Sequence, residues 1–215
     1  MNTDILEGKK IVALGDSLFH GSKDCKGNTW LEMLAAKHHM TLHNYGQNGN
    51  TLSVQSGEEQ KLPAMCVRYA DMEDGADYVV IMGGANDKRL NVPIGPDDSD
   101  DPTTFCGALN VLIRGVTAKY PRARVLFMTN YNRWPSKNKL GLSDIDYVEA
   151  MERVCRRYAL PCFNNYYNSG ISFQNPAQLA WIDEGVVRGD APNHHFSSEA
   201  YAWLMTRYEA LLSAL

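Results

Sequence analysis

The chain has 215 residues, 21 Lys+Arg against 25 Asp+Glu, and 44% hydrophobic residues. That length and apolar content supply a full core, which excludes global disorder and means that the fold does not need disulfides or metals to hold it together. A formal charge of −4 and a pI near 5.8 leave no basic footprint for nucleic acid.

No apolar stretch precedes Lys10 and no window has the roughly 18 uncharged apolar residues of a membrane helix, so neither a secretory signal nor a span is read. A cytoplasmic location is expected; a chain trimmed of its leader would read the same. Five scattered cysteines, Cys25, Cys66, Cys106, Cys155 and Cys162, make neither a disulfide framework nor a CxxC metal site. Reduced, mostly buried thiols are expected. Neither repeats nor low-complexity tracts occur, and residues 1–215 read as one domain.

In chain order, the first element is the apolar run Ile11-Val12-Ala13-Leu14. Like Tyr78 to Met82 and Val125 to Met128, it lacks alternation, the pattern of strands buried on both faces of a parallel sheet. Weaker strand candidates are Thr41 to Tyr45 and Cys162-Phe163. Asn91 to Pro102, with three prolines and four aspartates, reads as a solvated loop with a place over a site. Phe105, Leu109, Leu112, Ile113 and Val116 then fall on one helical face. Ser143 to Asp146 resembles a capping box and opens a stripe of Ile145, Val148, Met151, Val154, Cys155 and Tyr158. Tyr201, Leu204, Met205, Tyr208 and Leu212 form a last stripe, capped by Ser197 or Ser198. Trp30 and Trp181 read as packing residues. Strand–helix alternation predicts an α/β/α sandwich on a mainly parallel sheet of about five strands.

Ligands of such folds bind beyond the carboxyl ends of the strands, so the residues after each run matter. Gly15-Asp16-Ser17-Leu18 follows the first, where Ser17 reads as a presented hydroxyl or as a cap or turn serine. Asn44 to Thr51 is a glycine-containing loop. Gly83-Gly84-Ala85-Asn86-Asp87 ends another strand, either as a turn or with Asn86 as an amide donor. Gly189 to Phe196 brings Asp190, His194 and His195 together just before the last helix.

Together and in this order, these blocks resemble the GDSL esterase/lipase family, the SGNH hydrolases, across residues 15 to 195. The resemblance implies a flavodoxin-like fold and ester hydrolysis without cofactor or metal. Ser17 takes the nucleophile's place; Gly49 and Asn86, with the backbone N–H of Ser17, take those of the oxyanion hole. The last block departs from pattern: Phe196 stands where the family has Pro, and Ala200 where it has Gly. That register selects His195 as base. Three residues earlier stands Pro192, so the nearest carboxylate is Asp190; His194 as base, or a Ser–His dyad without Asp190, stay open.

The expected substrate is a small or carbohydrate-borne ester. Asn130 to Lys139 should border the site, with Arg133 or Lys137 suited to an acidic group, or be a plain solvated loop. The expected partner is that ester alone, with no nucleic acid and no membrane; no apolar lid for triglyceride is seen. Two rival classes compete with this reading. A silent binding module would keep the same strand-end loops. A phosphoryl-transfer protein using Asp16 would need a phosphate-cradling loop or an Asp-x-Asp pair, which the chain lacks there.

Overall fold

The computed structural model describes residues 5–21, 25–55, 63–182 and 195–215. Its centre is a five-stranded, all-parallel sheet: β1 (Lys10–Gly15), β2 (Thr41–Gly46), β3 (Tyr78–Met82), β4 (Arg124–Met128) and β5 (Cys162–Phe163), in the order β2-β1-β3-β4-β5. Each expected strand is present, with β1, β2 and β4 one to two residues longer than their apolar runs.

The described helices are α1 (Ser17–His20), α2 (Trp30–Lys37), α3 (Met65–Arg68), α4 (Ala85–Arg89), α5 (Phe105–Lys119), α6 (Asp144–Arg157), α7 (Asn165–Asn168) and α8 (Ser198–Ser213). A single-turn 3-10 helix lies at Tyr69–Asp71 and a two-turn one at Pro176–Trp181.

Successive strand residues serve opposite faces, so a strand apolar throughout must be covered on both sides. Ile11, Ala13, Val80 and Leu126 pack with Trp30, Leu34, Tyr201, Leu204 and Tyr208 of α2 and α8. Val12, Leu14, Ile81 and Phe127 pack with Leu109, Ile113, Met151 and Val154 of α5 and α6. These two cores make the three layers.

The α5 stripe is fully buried as expected. On α6 Val148, Met151, Val154 and Cys155 are buried as expected, Tyr147 and Ala150 widen the buried face, Ile145 and Tyr158 are only half-buried, and Ser143 and Asp146 do form the capping box. Ser197 caps α8 through the Ala200 N–H. A second capping box, Thr29 with Glu32, starts α2, a helix the apolar spacing had not revealed. The loop 91–102 does not lie over the cleft described below. Its backbone bonds to the start of α5, Asp97 pairs with Arg153 of α6, and only Asn91 reaches the cleft. All five cysteines are free, four of them buried. Among the described residues, no helix is long and apolar enough to cross a membrane.

The register positions the site. Gly15 lies opposite both Gly46 and Met82, Met82 opposite Met128, and Met128 opposite Phe163. The strands therefore end level. The order reverses between β1 and its neighbours β2 and β3, leaving a crevice at their carboxyl ends.

Candidate active site

A cleft of about 660 Å³ opens at this edge. Ser17, Gly49, Asn86 and His195 all line it, although they come from four separate segments of the chain. Asp190 and His194 lie outside the described residues.

Ser17 is the first residue of α1, half-buried beside the end of β1. Asp16 caps the helix, its Oδ1 accepting from the Leu18 N–H at 3.0 Å. The turn is possible because Gly46 lets it pass: a Cβ there would meet His20 N at 2.4 Å and Phe19 C at 2.6 Å. Asn44 donates to Phe19 O (2.7 Å) and to Glu32 Oε1 (2.7 Å), bracing α1 against α2. The Tyr201 hydroxyl donates to Leu18 O at 2.9 Å, tying α1 to α8. Asp16 is buried, and loss of solvation pushes its carboxyl up to about 6; the Leu18 N–H and the Arg133 charge pull it the other way.

Asn86 lies in the first turn of α4, half-buried. Its amide donates to Asn50 O at 3.1 Å, and its Oδ1 accepts from Arg89 Nε at 3.2 Å. These two bonds fix which end of the amide is nitrogen. Asn50 is held in turn by Arg68, whose Nη1 donates to Asn50 Oδ1 at 2.6 Å and whose Nη2 donates to Tyr45 O at 2.9 Å. Gly49, with φ of +76°, makes the turn that exposes its own peptide to the cleft.

Asp87, next to Asn86, is wholly buried and does not line the cleft. Its carboxylate accepts from the N–H groups of Leu52 and Ser53, both at 3.0 Å, and from Ser53 Oγ at 2.5 Å. It fastens the loop after β2 to α4, fixing Gly49 relative to Asn86. Burial pushes this carboxyl up as well, opposed by the same three bonds.

His195 is half-exposed and directly precedes Phe196. Phe196 is buried among Tyr131, Phe173 and Tyr201, with ring centroids at 4.7, 5.8 and 5.7 Å. It also pairs with Ile182 in an antiparallel bridge. Aromatic packing therefore fixes the backbone next to His195, in the position where the GDSL pattern has proline.

Sequence reasoning missed Asp144. It is buried at the start of α6, accepting from Lys88 Nζ (2.9 Å), Arg133 Nη2 (2.7 Å) and Asn130 Nδ2 (2.7 Å). As the first residue of α6, inside the Ser143–Asp146 box, it gives no sign in the sequence of these long-range partners. The loop after β4 borders the cleft as expected, through Arg133, Trp134 and Ser136 to Lys139. Among the described residues, no group of three or more His, Cys, Asp or Glu side chains is placed to hold a metal ion.

A level-ended parallel sheet with a cleft at its switch point defines an α/β/α sandwich with a ligand-sized crevice at the carboxyl edge. The chain belongs to the GDSL-like lipase/acylhydrolase family, which it matches over residues 13–203. It resembles one solved structure at 31% identity with a TM-score of 0.86, covering 99% of both chains. It is similar to a protein from Lactobacillus plantarum at 24% identity and TM-score 0.82, covering 97% of this chain and 98% of that one. An aryl esterase from M. smegmatis shares the fold at 16% identity and TM-score 0.68, covering 96% and 99%. No curated protein matches the chain.

Proposed function

We propose that this chain is a serine esterase that cleaves a small or carbohydrate-borne carboxylic ester through an acyl-enzyme. The observation that carries this reading is the convergence of Ser17, Gly49, Asn86 and His195 on one cleft at the switch point. Family membership makes ester hydrolysis the chemistry to test first.

In the proposed reaction His195 takes the Ser17 proton as Ser17 Oγ attacks the ester carbonyl. The negative charge on the tetrahedral oxygen is met by the N–H groups of Ser17 and Gly49 and by the Asn86 amide. Neither backbone N–H is used in a backbone hydrogen bond among the described residues. The Asn86 nitrogen spends one proton on Asn50 O and keeps one for the oxyanion. His195 then protonates the departing alcohol and later activates water, whose attack releases the acid and restores Ser17. Asp190 is assigned to orient the base from its sequence position alone. The cleft volume suits a small ester rather than a long-chain glyceride.

The test is hydrolysis of short-chain nitrophenyl esters by the wild type and by Ser17→Ala, His195→Ala and His194→Ala. Loss of turnover in Ser17→Ala and His195→Ala is expected, with an acyl adduct on Ser17 seen by mass spectrometry. Unchanged turnover in Ser17→Ala overturns the nucleophile. Loss in His194→Ala with retention in His195→Ala moves the base by one residue. Substitution of Phe196 and Ala200 in the last block keeps a silent binding module as the second reading, and a folded wild type inert toward every ester would favour it.

A further inference from the structure

The described lining of the cleft carries a charge opposite in sign to the chain. It includes Lys88, Arg89, Arg133, Lys137 and Lys139 against the carboxylates Asp16 and Asp144, in a protein whose acids outnumber its Lys and Arg by 25 to 21. All five cations come from one side, α4 and the loop after β4. Ser17 and His195 come from the end of β1 and the segment before α8.

Part of this charge is built into the protein. The side chains of Lys88 and Arg133 are only 10% and 9% exposed, and both bond the single carboxylate of Asp144. Arg133 also faces the buried carboxylate of Asp16, so these two cations are largely matched by Asp144 and Asp16, and the excess positive charge of the described lining lies on Arg89, Lys137 and Lys139. Arg133 Nε and Trp134 Nε1 are buried donors without an acceptor among the described residues, and both residues line the cleft. Buried donors are seldom left unpaired unless something else supplies the acceptor.

The outer part is held in place by its backbone. Asn138 donates to Lys88 O (3.1 Å) and to the Tyr147 hydroxyl (3.0 Å), and accepts from the N–H groups of Leu140 and Leu142, both at 3.0 Å. The Lys139 N–H donates to Asn91 Oδ1 at 2.7 Å. Lys137 and Lys139 thus extend from a loop anchored to α4 and α6, and their placement needs little ordering when a ligand arrives.

We infer that this wall recognises an anionic oxygen group, a carboxylate or a phosphate, carried by the ester substrate, with Arg133, Lys137 and Lys139 as its specificity residues. The inference rests on the esterase reading for the word substrate, whereas the charge selectivity of the cleft does not.

Calorimetry with ligands that cannot be hydrolysed separates the two. Wild-type protein is titrated with N-methylglutaramate against neutral N-methylpentanamide, and with glycerol 3-phosphate against glycerol. The anion of at least one pair should bind about tenfold or more tightly at low salt, the preference shrinking as salt is raised. The pair with the larger ratio identifies carboxylate or phosphate. The double variant Lys137→Gln/Lys139→Gln, changed only at exposed side chains, should lose most of that ratio. Equal binding within both pairs, or a ratio untouched by the double variant, overturns the inference. Because no turnover is involved, failure of Ser17 as nucleophile would show only in the ester assay and would leave this result readable.

Discussion

Two buried aspartates flank the candidate site, each one residue from a proposed catalytic group, and they differ in reach. Asp16, before Ser17, bonds the N–H of Leu18 two residues away. Asp87, after Asn86, bonds Leu52 and Ser53, some 35 residues away, through three hydrogen bonds. Burial raises the pKa of both. The first holds its own turn; the second holds two loops together. Local sequence rules describe the former, whereas only the folded sheet creates the latter.

The sharpest test of this contrast is functional. Asn86→Ala should lower kcat by about 10²–10³-fold, about 3–4 kcal/mol of transition-state stabilisation, with the fold intact by circular dichroism. Asp87→Ala should instead act through stability. Two backbone N–H groups and a hydroxyl lose their buried acceptor, so urea unfolding should show a loss of about 3 kcal/mol or more. Activity should fall with it, since the loop bearing Gly49 is released.

Asp16→Asn should have the opposite sign. The folded carboxyl titrates at about 6 against an ordinary 3.8, so between those values the native state binds more protons than the unfolded chain. Stability therefore falls as pH rises through this window, by an amount approaching about 3 kcal/mol above pH 6. The amide keeps an acceptor for Leu18 and removes the buried charge. The variant should be more stable than wild type at pH 7, with the gap closing toward pH 4 in thermal melts. A destabilised Asp16→Asn at pH 7 would make the two aspartates alike and break the comparison.

The smallest effect is expected at Arg89. Arg89→Ala removes the bond to Asn86 Oδ1, one of the two that set the amide's orientation. On a neutral ester kcat should drop severalfold, about 1 kcal/mol, with the Asn50 bond still in place. A loss as large as that of Asn86→Ala would mean that Arg89 itself meets the reacting atoms.

Legibility followed the same division. The strands, the α5 stripe and the Ser143–Asp146 box could be read because each depends on neighbours within a few residues. The α2 capping box, Thr29 with Glu32, obeys the same local rule, but the eight-residue helix behind it is too short for a strong apolar stripe. Strand-end position offered Ser17 and Asn86 only as candidates, and it was the resemblance to the GDSL blocks that singled out Gly49 and His195; the level register brings all four to one cleft. Asp144 could not, since its first-turn position looks the same whether it faces water or two buried cations. The course of the 91–102 loop is hidden from the sequence for a related reason. Its prolines and aspartates mark a loop, yet the Asp97–Arg153 pair decides which surface it follows.

The sequence by itself determined the alternation of strand and helix, the two-sided burial of the sheet and the types of residue waiting at its carboxyl edge. Those follow from hydrophobic period and capping chemistry, which act over a turn or a strand. Tertiary structure decided which of those residues share a cleft, that Asp87 locks one side of it, and that one wall is cationic in an acidic protein. Those depend on charges and hydrogen bonds between segments 11 to 56 residues apart, whose energies exist only once the sheet has excluded water from between them.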